Sequence, residues 1–233
     1  MNIRTNIALA MLATLTLGSA QAATESYNYT LSSQLANDQA SFVDLQLFDP
    51  AKGKLTSVTF TLVSTLQGEG GIENLQAKKS ITFDLTLDGS VSLELPDVGL
   101  LAAATGQLLH DNFTVAKFDS TRDLLGASAK SFSYAATLSA SNSFGDTAHL
   151  DQFTGTSTIR LPFLATVEST ITGTSNRYDE FTTSASSSLQ VVYSYDLRPG
   201  DIAASVPEPE TWALMLAGVG VLASLSRRRR GPR

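Results

Sequence analysis

Apolar and polar residues alternate with a period of two over most of the chain between residues 26 and 197, and this pattern confines it to β structure. The alternating stretches are 26–31, 42–48, 55–62, 80–87, 90–95, 132–138, 156–161 and 189–197. Val58, Phe60 and Leu62 fall on one side of an extended strand, as do Leu45 and Leu47 with Val43 and Phe48 less regularly. Successive side chains of a strand point to opposite faces, so each stretch has one face for a core and one for water. Turn residues punctuate the pattern at Asp49-Pro50 with Gly53, at 68–71 (Gly-Glu-Gly-Gly), at Asp88-Gly89, at Gly145-Asp146 and at Gly173. Turns about every 8 to 15 residues favour antiparallel connections over a parallel sheet. The expected fold is all-β: a single antiparallel β-sandwich or jelly-roll-like domain. One stretch, 98–109, breaks the alternation; Leu100, Leu101, Leu108 and Leu109 with the intervening alanines suit a short helix or a buried loop. No repeat of fixed period is visible.

The two ends of the chain have a different character. Arg4 and the free amine precede an apolar core at 7–17 and an Ala-x-Ala site formed by Ala20 and Ala22. That is a secretory signal peptide over 1–22, too short and too lightly flanked for a stable membrane helix. At the other end, Pro207, Glu208 and Pro209 precede an apolar stretch at 212–225 and then Arg227, Arg228, Arg229 and Arg230. As a helix, those fourteen residues would extend about 21 Å against a hydrocarbon core of about 30 Å. Spanning therefore requires bilayer thinning or snorkelling, even with Thr211 and Ser226 included. Four arginines cannot cross cheaply and hold the C-terminus in the cytoplasm, while Trp212 suits the opposite interface. The two prolines keep the segment before the helix extended, as a peptidase site requires. A permanent single-pass anchor is the plainer alternative.

This three-part tail resembles the PEP-CTERM sorting signal. The resemblance implies that Pro207, Glu208 and Pro209 are the recognition and cleavage site of a membrane-embedded exosortase, with the arginines as the stop-transfer block. Signal peptidase is the second processing partner, and contact with the inner membrane is transient. The expected plan is signal peptide 1–22, extracellular β domain 23–200, and linker plus sorting signal 201–233. Within the last, PEP occupies 207–209, a short C-terminal transmembrane helix 211–226 and an arginine-rich tail 227–233. The destination is the cell surface or the extracellular matrix.

About 185 exported residues suffice for one domain with a sizeable core. Cysteine is absent, so packing must supply stability without disulfides, and no thiolate chemistry is available. Setting aside Glu208 and Glu210, and Arg4, Arg227–Arg230 and Arg233, leaves twenty acidic and ten basic residues, a net charge of −10. That balance argues against nucleic acid or an anionic surface as partner, and it is compatible with divalent cations or neutral glycans.

A second resemblance covers the exported part. The segment 48–58, Phe-Asp-Pro-Ala-Lys-Gly-Lys-Leu-Thr-Ser-Val, is similar to the opening of the choice-of-anchor E domains. So are 153–159, with Ser157 where that pattern has a glycine, and 191–195, Val-Val-Tyr-Ser-Tyr. The resemblance implies a surface-associated β domain shared among different anchoring signals, with no known activity. Each motif also has a structural explanation. Phe48 ends a strand pointing inward, Asp49-Pro50 starts a type I turn and Gly53 ends it with positive φ. Gly155 marks a bulge or a close backbone approach.

Candidate chemistry is sparse. His110 and His149 are the only histidines, with no partner at zinc-motif spacing. There is no G-x-S-x-G elbow. His149 near Asp146 and Asp151 could be oriented for a Ser-His-Asp arrangement, although such clusters are commonly polar loops. The 68–71 run lacks the lysine and helix of a phosphate loop and is read as a flexible turn. Glu69, Glu73, Asp84, Asp88, Glu94 and Glu168 are candidate paired carboxylates for glycosidase chemistry, with none singled out. Tyr27, Tyr29, Tyr178, Tyr193 and Tyr195 are among the aromatic residues available for sugar; Tyr193 and Tyr195 share a strand face, for stacking or for packing. Calcium could be held where Asp119 and Asp123, Asp146 and Asp151, or Asp179 and Glu180 converge. The reading that follows is a non-catalytic surface or matrix protein, associated with extracellular polysaccharide, without cofactor or metal. The alternative is a secreted polysaccharide-active hydrolase on a β-sandwich.

Overall fold

The computed structural model describes residues 22–38, 40–95, 99–198 and 217. A compact unit, Ala22–Asp196, is separate from the terminal segments Met1–Gln21 and Leu197–Arg233. The strands in chain order are β1 (Ala22–Leu35), β2 (Ser41–Gln46), β3 (Gly53–Asn74), β4 (Ile81–Leu95), β5 (Gly99–Val115), β6 (Ala129–Phe144), β7 (Thr158–Thr172) and β8 (Arg177–Leu197). One short helix, α1 (Thr147–Gln152), lies between β6 and β7.

Two four-stranded sheets result, with orders β1-β8-β3-β6 and β2-β7-β4-β5. The pairs β1·β8, β2·β7, β3·β6 and β4·β5 are nested about the β4–β5 hairpin, and each is antiparallel. Strands from the far ends of the chain thus lie side by side, and the sheets do not close into a barrel. The alternation explains the layering. Phe60, Leu62 and Leu66 on β3 and Phe83, Leu85 and Leu87 on β4 are fully buried, and their sequence neighbours face out. Aromatic contacts join the layers: Phe113 of β5 meets Phe132 of β6 at 5.2 Å, edge to face. The Tyr193 hydroxyl of β8 donates to the Gln46 carbonyl of β2 at 2.7 Å, and burial pushes its phenol up from the ordinary value. Tyr195 packs on Phe48 at 4.9 Å. Both tyrosines are packing residues.

The turn at Asp49 forms as its residues dictate. The Asp49 side chain accepts from the Ala51 amide and its carbonyl from the Lys52 amide. Gly53 has φ +158, and a Cβ there would stand 2.2 Å from the Asp196 carbonyl oxygen. Gly155 is a close approach, its amide donating to the Phe48 carbonyl at 2.8 Å.

Three expectations fail, all for one reason: interruptions of the alternation lie inside strands. Of the 98–109 stretch, residues 99–109 are neither helix nor loop but most of β5, paired with β4, and residue 98 lies outside the described residues. Its register shifts twice, between Leu87 and Asp88 and between Leu93 and Glu94. The pairs jump from Leu109 to Gln107 and from Ala102 to Leu100, so Leu108 and Leu101 are the extra residues, and both are buried. Each bulge inverts the facing and brings two leucines together in sequence, which imitates helical spacing. Asp88-Gly89 is not a turn; it continues β4 beside the first bulge, where Gly89 leaves room for Leu108. The 68–71 run is not a flexible turn; it lies within a 22-residue strand, β3.

Candidate functional site

Most of the sequence-predicted sorting residues lie outside the described residues: Ala20, Pro207, Glu208, Pro209 and Arg227, Arg228, Arg229 and Arg230. The transmembrane expectation at 211–226 does too, save residue 217. Among the described residues no helix is long and apolar enough to cross a membrane. Ala22 begins β1, exposed, opposite Asp196 of β8. Cleavage after it would leave Ala23 opposite Tyr195.

The histidine cluster is a helix cap. Asp146 precedes α1 and accepts from the His149 amide at 3.1 Å and from the ring Nδ1 at 2.6–2.7 Å. These hydrogen bonds hold the Asp146 carboxyl below its usual range. The imidazole stacks on Phe144 at 4.5 Å. His110 lies on another strand, β5, beside Thr86 at 3.1 Å.

The carboxylates separate by role. Glu73 is fully buried; it accepts from the Asp123 and Leu124 amides at 3.0 and 3.1 Å and from the Ser128 hydroxyl at 3.2 Å. It fixes the loop between β5 and β6. Asp119 and Asp123 each accept from an amide two residues on, as turn formers. Asp179 accepts from Arg177 Nε at 2.9 Å, and Glu180 from the Tyr178 hydroxyl at 2.6 Å. Among the described residues no group of three or more histidine or acidic side chains could hold a metal ion.

The outward faces of the two sheets differ in charge. On the β2-β7-β4-β5 sheet, Asp44, Asp84, Asp88, Glu94 and Glu168 are all exposed or half-exposed. Asp88 faces Glu168 directly across β4 and β7 in a hollow of about 400 Å³ shared with Ser90 and Thr166. Like charges directly opposite each other destabilise a sheet. On β3 of the other sheet the outward residues between 59 and 67 are Thr59, Thr61, Val63, Thr65 and Gln67, none charged, and Glu69 follows them. Opposite them on β6 lie Ser143, Ser141, Ser139, Thr137 and Ala135. Three cross-strand hydroxyl pairs form there: Thr59–Ser143 at 2.9 Å, Thr61–Ser141 at 3.2 Å and Thr65–Thr137 at 3.3 Å.

This uncharged face ends in a trough. A hollow of about 480 Å³ is bounded by Gln67, Glu69, Ser133, Ala135, Thr182 and Ser184. A second, of about 290 Å³, adjoins it at Glu69 and Thr182 and reaches Leu124 and Glu180. Glycines shape this part of the sheet. On its other side the Tyr134 ring of β6 crosses β3 at Gly68 and bonds the Thr183 hydroxyl of β8 at 2.6 Å. A Cβ on Gly68 would lie 2.6 Å from that phenolic oxygen and 2.3 Å from the Thr182 carbonyl oxygen. A Cβ on Gly70 would be equally close to the Glu180 carbonyl oxygen. Sequence reasoning missed the trough, although glycines two residues apart in an otherwise alternating strand share one face and signal close approach.

A family model, the PEP-CTERM protein-sorting motif, matches residues 205–230. The chain therefore carries the signal of exosortase-dependent sorting, which marks proteins exported and transiently anchored in the membrane before release or surface display. Comparison with curated proteins gives no match. Among solved structures, one similarity is to the infectious bursal disease virus T13 particle: 12% identity, 93% of this chain, 52% of that chain, TM-score 0.14. Another is to the VP2 subviral particle of the same virus: 12% identity, 92% of this chain, 53% of that chain, TM-score 0.15. The chain spans about half the length of these viral chains. At such TM-scores the likeness carries no argument.

Proposed function

We propose that this is a surface or extracellular-matrix protein whose β domain has a non-catalytic structural or binding role beside extracellular polysaccharide. The sorting motif at 205–230 carries the reading, because it commits the chain to export and exosortase handling. Two further features support it. The nested pairing of eight strands in two sheets is the wiring of a jelly roll. The segments 48–58, 153–159 and 191–195 resemble a choice-of-anchor E domain. Glu73, Asp119, Asp123 and Asp146, with His149, are engaged in capping, turns and loop fixation.

Processing is the first test. Pro207, Glu208 and Pro209 are the recognition site, preceding the apolar stretch at 212–225. Glu208→Ala should leave export intact and trap the protein in the membrane with its tail attached. Mass spectrometry of the mature protein from cells with an active exosortase checks this; a C-terminus still ending at Arg233 in the unaltered protein refutes it. The hydrolase reading has one specific observation in its favour, the opposed Asp88 and Glu168 in their hollow. Polysaccharide turnover abolished by Asp88→Asn or Glu168→Gln would replace the non-catalytic reading.

A further inference from the structure

We infer that the trough around Glu69 and the uncharged face running from it along β3 form a binding site for a neutral polysaccharide strand. The inference rests on the proposed matrix role and gives that role a location. Its basis is the segregation of charge. The exported chain carries twice as many acidic as basic residues, yet β3 from Thr59 to Gln67 and β6 from Ser133 to Ser143 present only hydroxyl, amide and small apolar groups outward. β8 continues the same chemistry with Thr182, Ser184, Ser186, Ser188 and Gln190. The acids of the opposite sheet are absent from this face. At about 3.3 Å per residue, the path from Thr59 to Gly71 is about 40 Å long, an extended track rather than a pocket for a small molecule.

The trough supplies what a flat hydroxyl surface lacks. Ser/Thr hydroxyls that already bond one another across strands offer a sugar little beyond what water offers. Glu69, by contrast, places an exposed carboxylate between two hollows. A carboxylate accepts from two adjacent hydroxyls at once, and such charge-assisted hydrogen bonds are about twice as strong as neutral ones. Gln67 adds an amide with both donor and acceptor atoms. At the far end Glu180 accepts from the Tyr178 hydroxyl, and the Tyr178 ring lies 4.8 Å beneath the Arg122 guanidinium. An anionic polymer would meet Glu69 with no cation lining either hollow. A neutral chain of hydroxyls satisfies the acceptors without such a penalty.

The test uses the mature protein recovered after export, in native gels containing soluble mixed-linkage β-glucan or dextran as neutral probes. Polygalacturonate and polylysine serve as charged comparators. Retardation by a neutral probe is expected, with its apparent Kd weakened at least tenfold by Glu69→Ala. Ala135→Glu, which adds bulk and charge to an exposed wall of the trough, should weaken it as well. Asp44→Asn on the opposite sheet should leave it unchanged, and melting temperatures of all three variants should match the parent. No retardation by either neutral probe overturns the inference, as does retardation only by a charged comparator. Neutral retardation that both trough variants retain overturns the location while leaving the matrix reading in place. Shortening of the probe during the experiment would instead overturn the non-catalytic reading.

Discussion

Gly68→Ala tests the packing that underlies the trough. Backbone conformation is not the obstacle, since Gly68 is not among the glycines with positive φ. The obstacle is space: the new Cβ would lie 2.3 Å from the Thr182 carbonyl oxygen, 2.6 Å from the Tyr134 hydroxyl and 2.7 Å from its Cζ. Ordinary van der Waals contact begins at 3.4 Å, so β8 and the tyrosine ring must each withdraw by about 1 Å. Overpacking of this kind costs about 1–3 kcal/mol. Withdrawal of the ring also breaks the buried Tyr134–Thr183 hydrogen bond, which adds about 1–3 kcal/mol where the freed groups stay dry. A total of about 2–6 kcal/mol in a domain of this size lowers the melting temperature by roughly 5–20 °C. Gly145→Ala is the matched comparator, because its nearest neighbour is the Thr56 carbonyl oxygen at an ordinary 3.5 Å; it should change stability by less than about 1 kcal/mol. Urea unfolding followed by circular dichroism measures both. Combining Gly68→Ala with Tyr134→Phe should cost less than the sum of the two, because both remove the same hydrogen bond. Equal stabilities for the two alanine variants would refute the close-approach argument.

Glu73→Ala should destabilise by about 3 kcal/mol or more, since it strips the Asp123 and Leu124 amides and the Ser128 hydroxyl of their acceptor; faster hydrogen exchange at those two amides is the specific readout. Ser64→Ala should cost about 1–2 kcal/mol by leaving the buried Ser187 hydroxyl without its partner at 2.7 Å, and Ser64→Ala with Ser187→Ala should cost less than the sum of the single changes. Lys52 donates to Glu25 at 2.6 Å, and this hydrogen bond holds the Glu25 carboxyl below its ordinary value. A depressed carboxyl stabilises the fold above its unfolded pKa and loses that contribution as pH falls through the folded value. Lys52→Met should therefore lower the melting temperature near neutrality by an amount that shrinks as pH drops below about 4.5; a deficit undiminished at the acid end would count against the pair.

The strand faces were legible because burial enforces them. Val58, Phe60 and Leu62 alternate in the sequence and are all fully buried. The ends of strands were not. β3 runs on through 68–71 because glycine there makes room for neighbours, Tyr134 at Gly68 and Leu124 at Gly71, rather than reversing the chain. Local composition cannot distinguish a glycine that turns from one that yields space to a strand distant in sequence. β5 was illegible for a related reason, because two bulges invert its facing and set Leu100 beside Leu101 and Leu108 beside Leu109. The trough shares this dependence on distant strands. Glu69 belongs to β3, Ser133 to β6 and Thr182 to β8, and the order that makes them neighbours follows from which strands pair. The sorting motif at 205–230 was legible because it is a pattern of linear order, with no partner strand needed.

That contrast bears on how the two parts work together during export. β1 begins at Ala22, and its only neighbour in the sheet is β8, with Ala22 opposite Asp196. The predicted signal-peptide cleavage point and the approach to the sorting tail therefore meet at one end of one strand pair. β1 cannot join its sheet until β8 is present, because among the described residues no other strand pairs with it. Closing so long a loop is slow, since the whole entropic cost precedes any reward from contacts. During that interval Ala22 and Ala23 lack the strand partners, Asp196 and Tyr195, that they have in the folded sheet. Once β8 arrives, pairing of Ala23 with Tyr195 closes the sheet edge and carries the start of the domain and the start of its tail together. A domain wired with its first strand against its second would bury its own N-terminus early. Nested pairing defers that step until the last strand is in place.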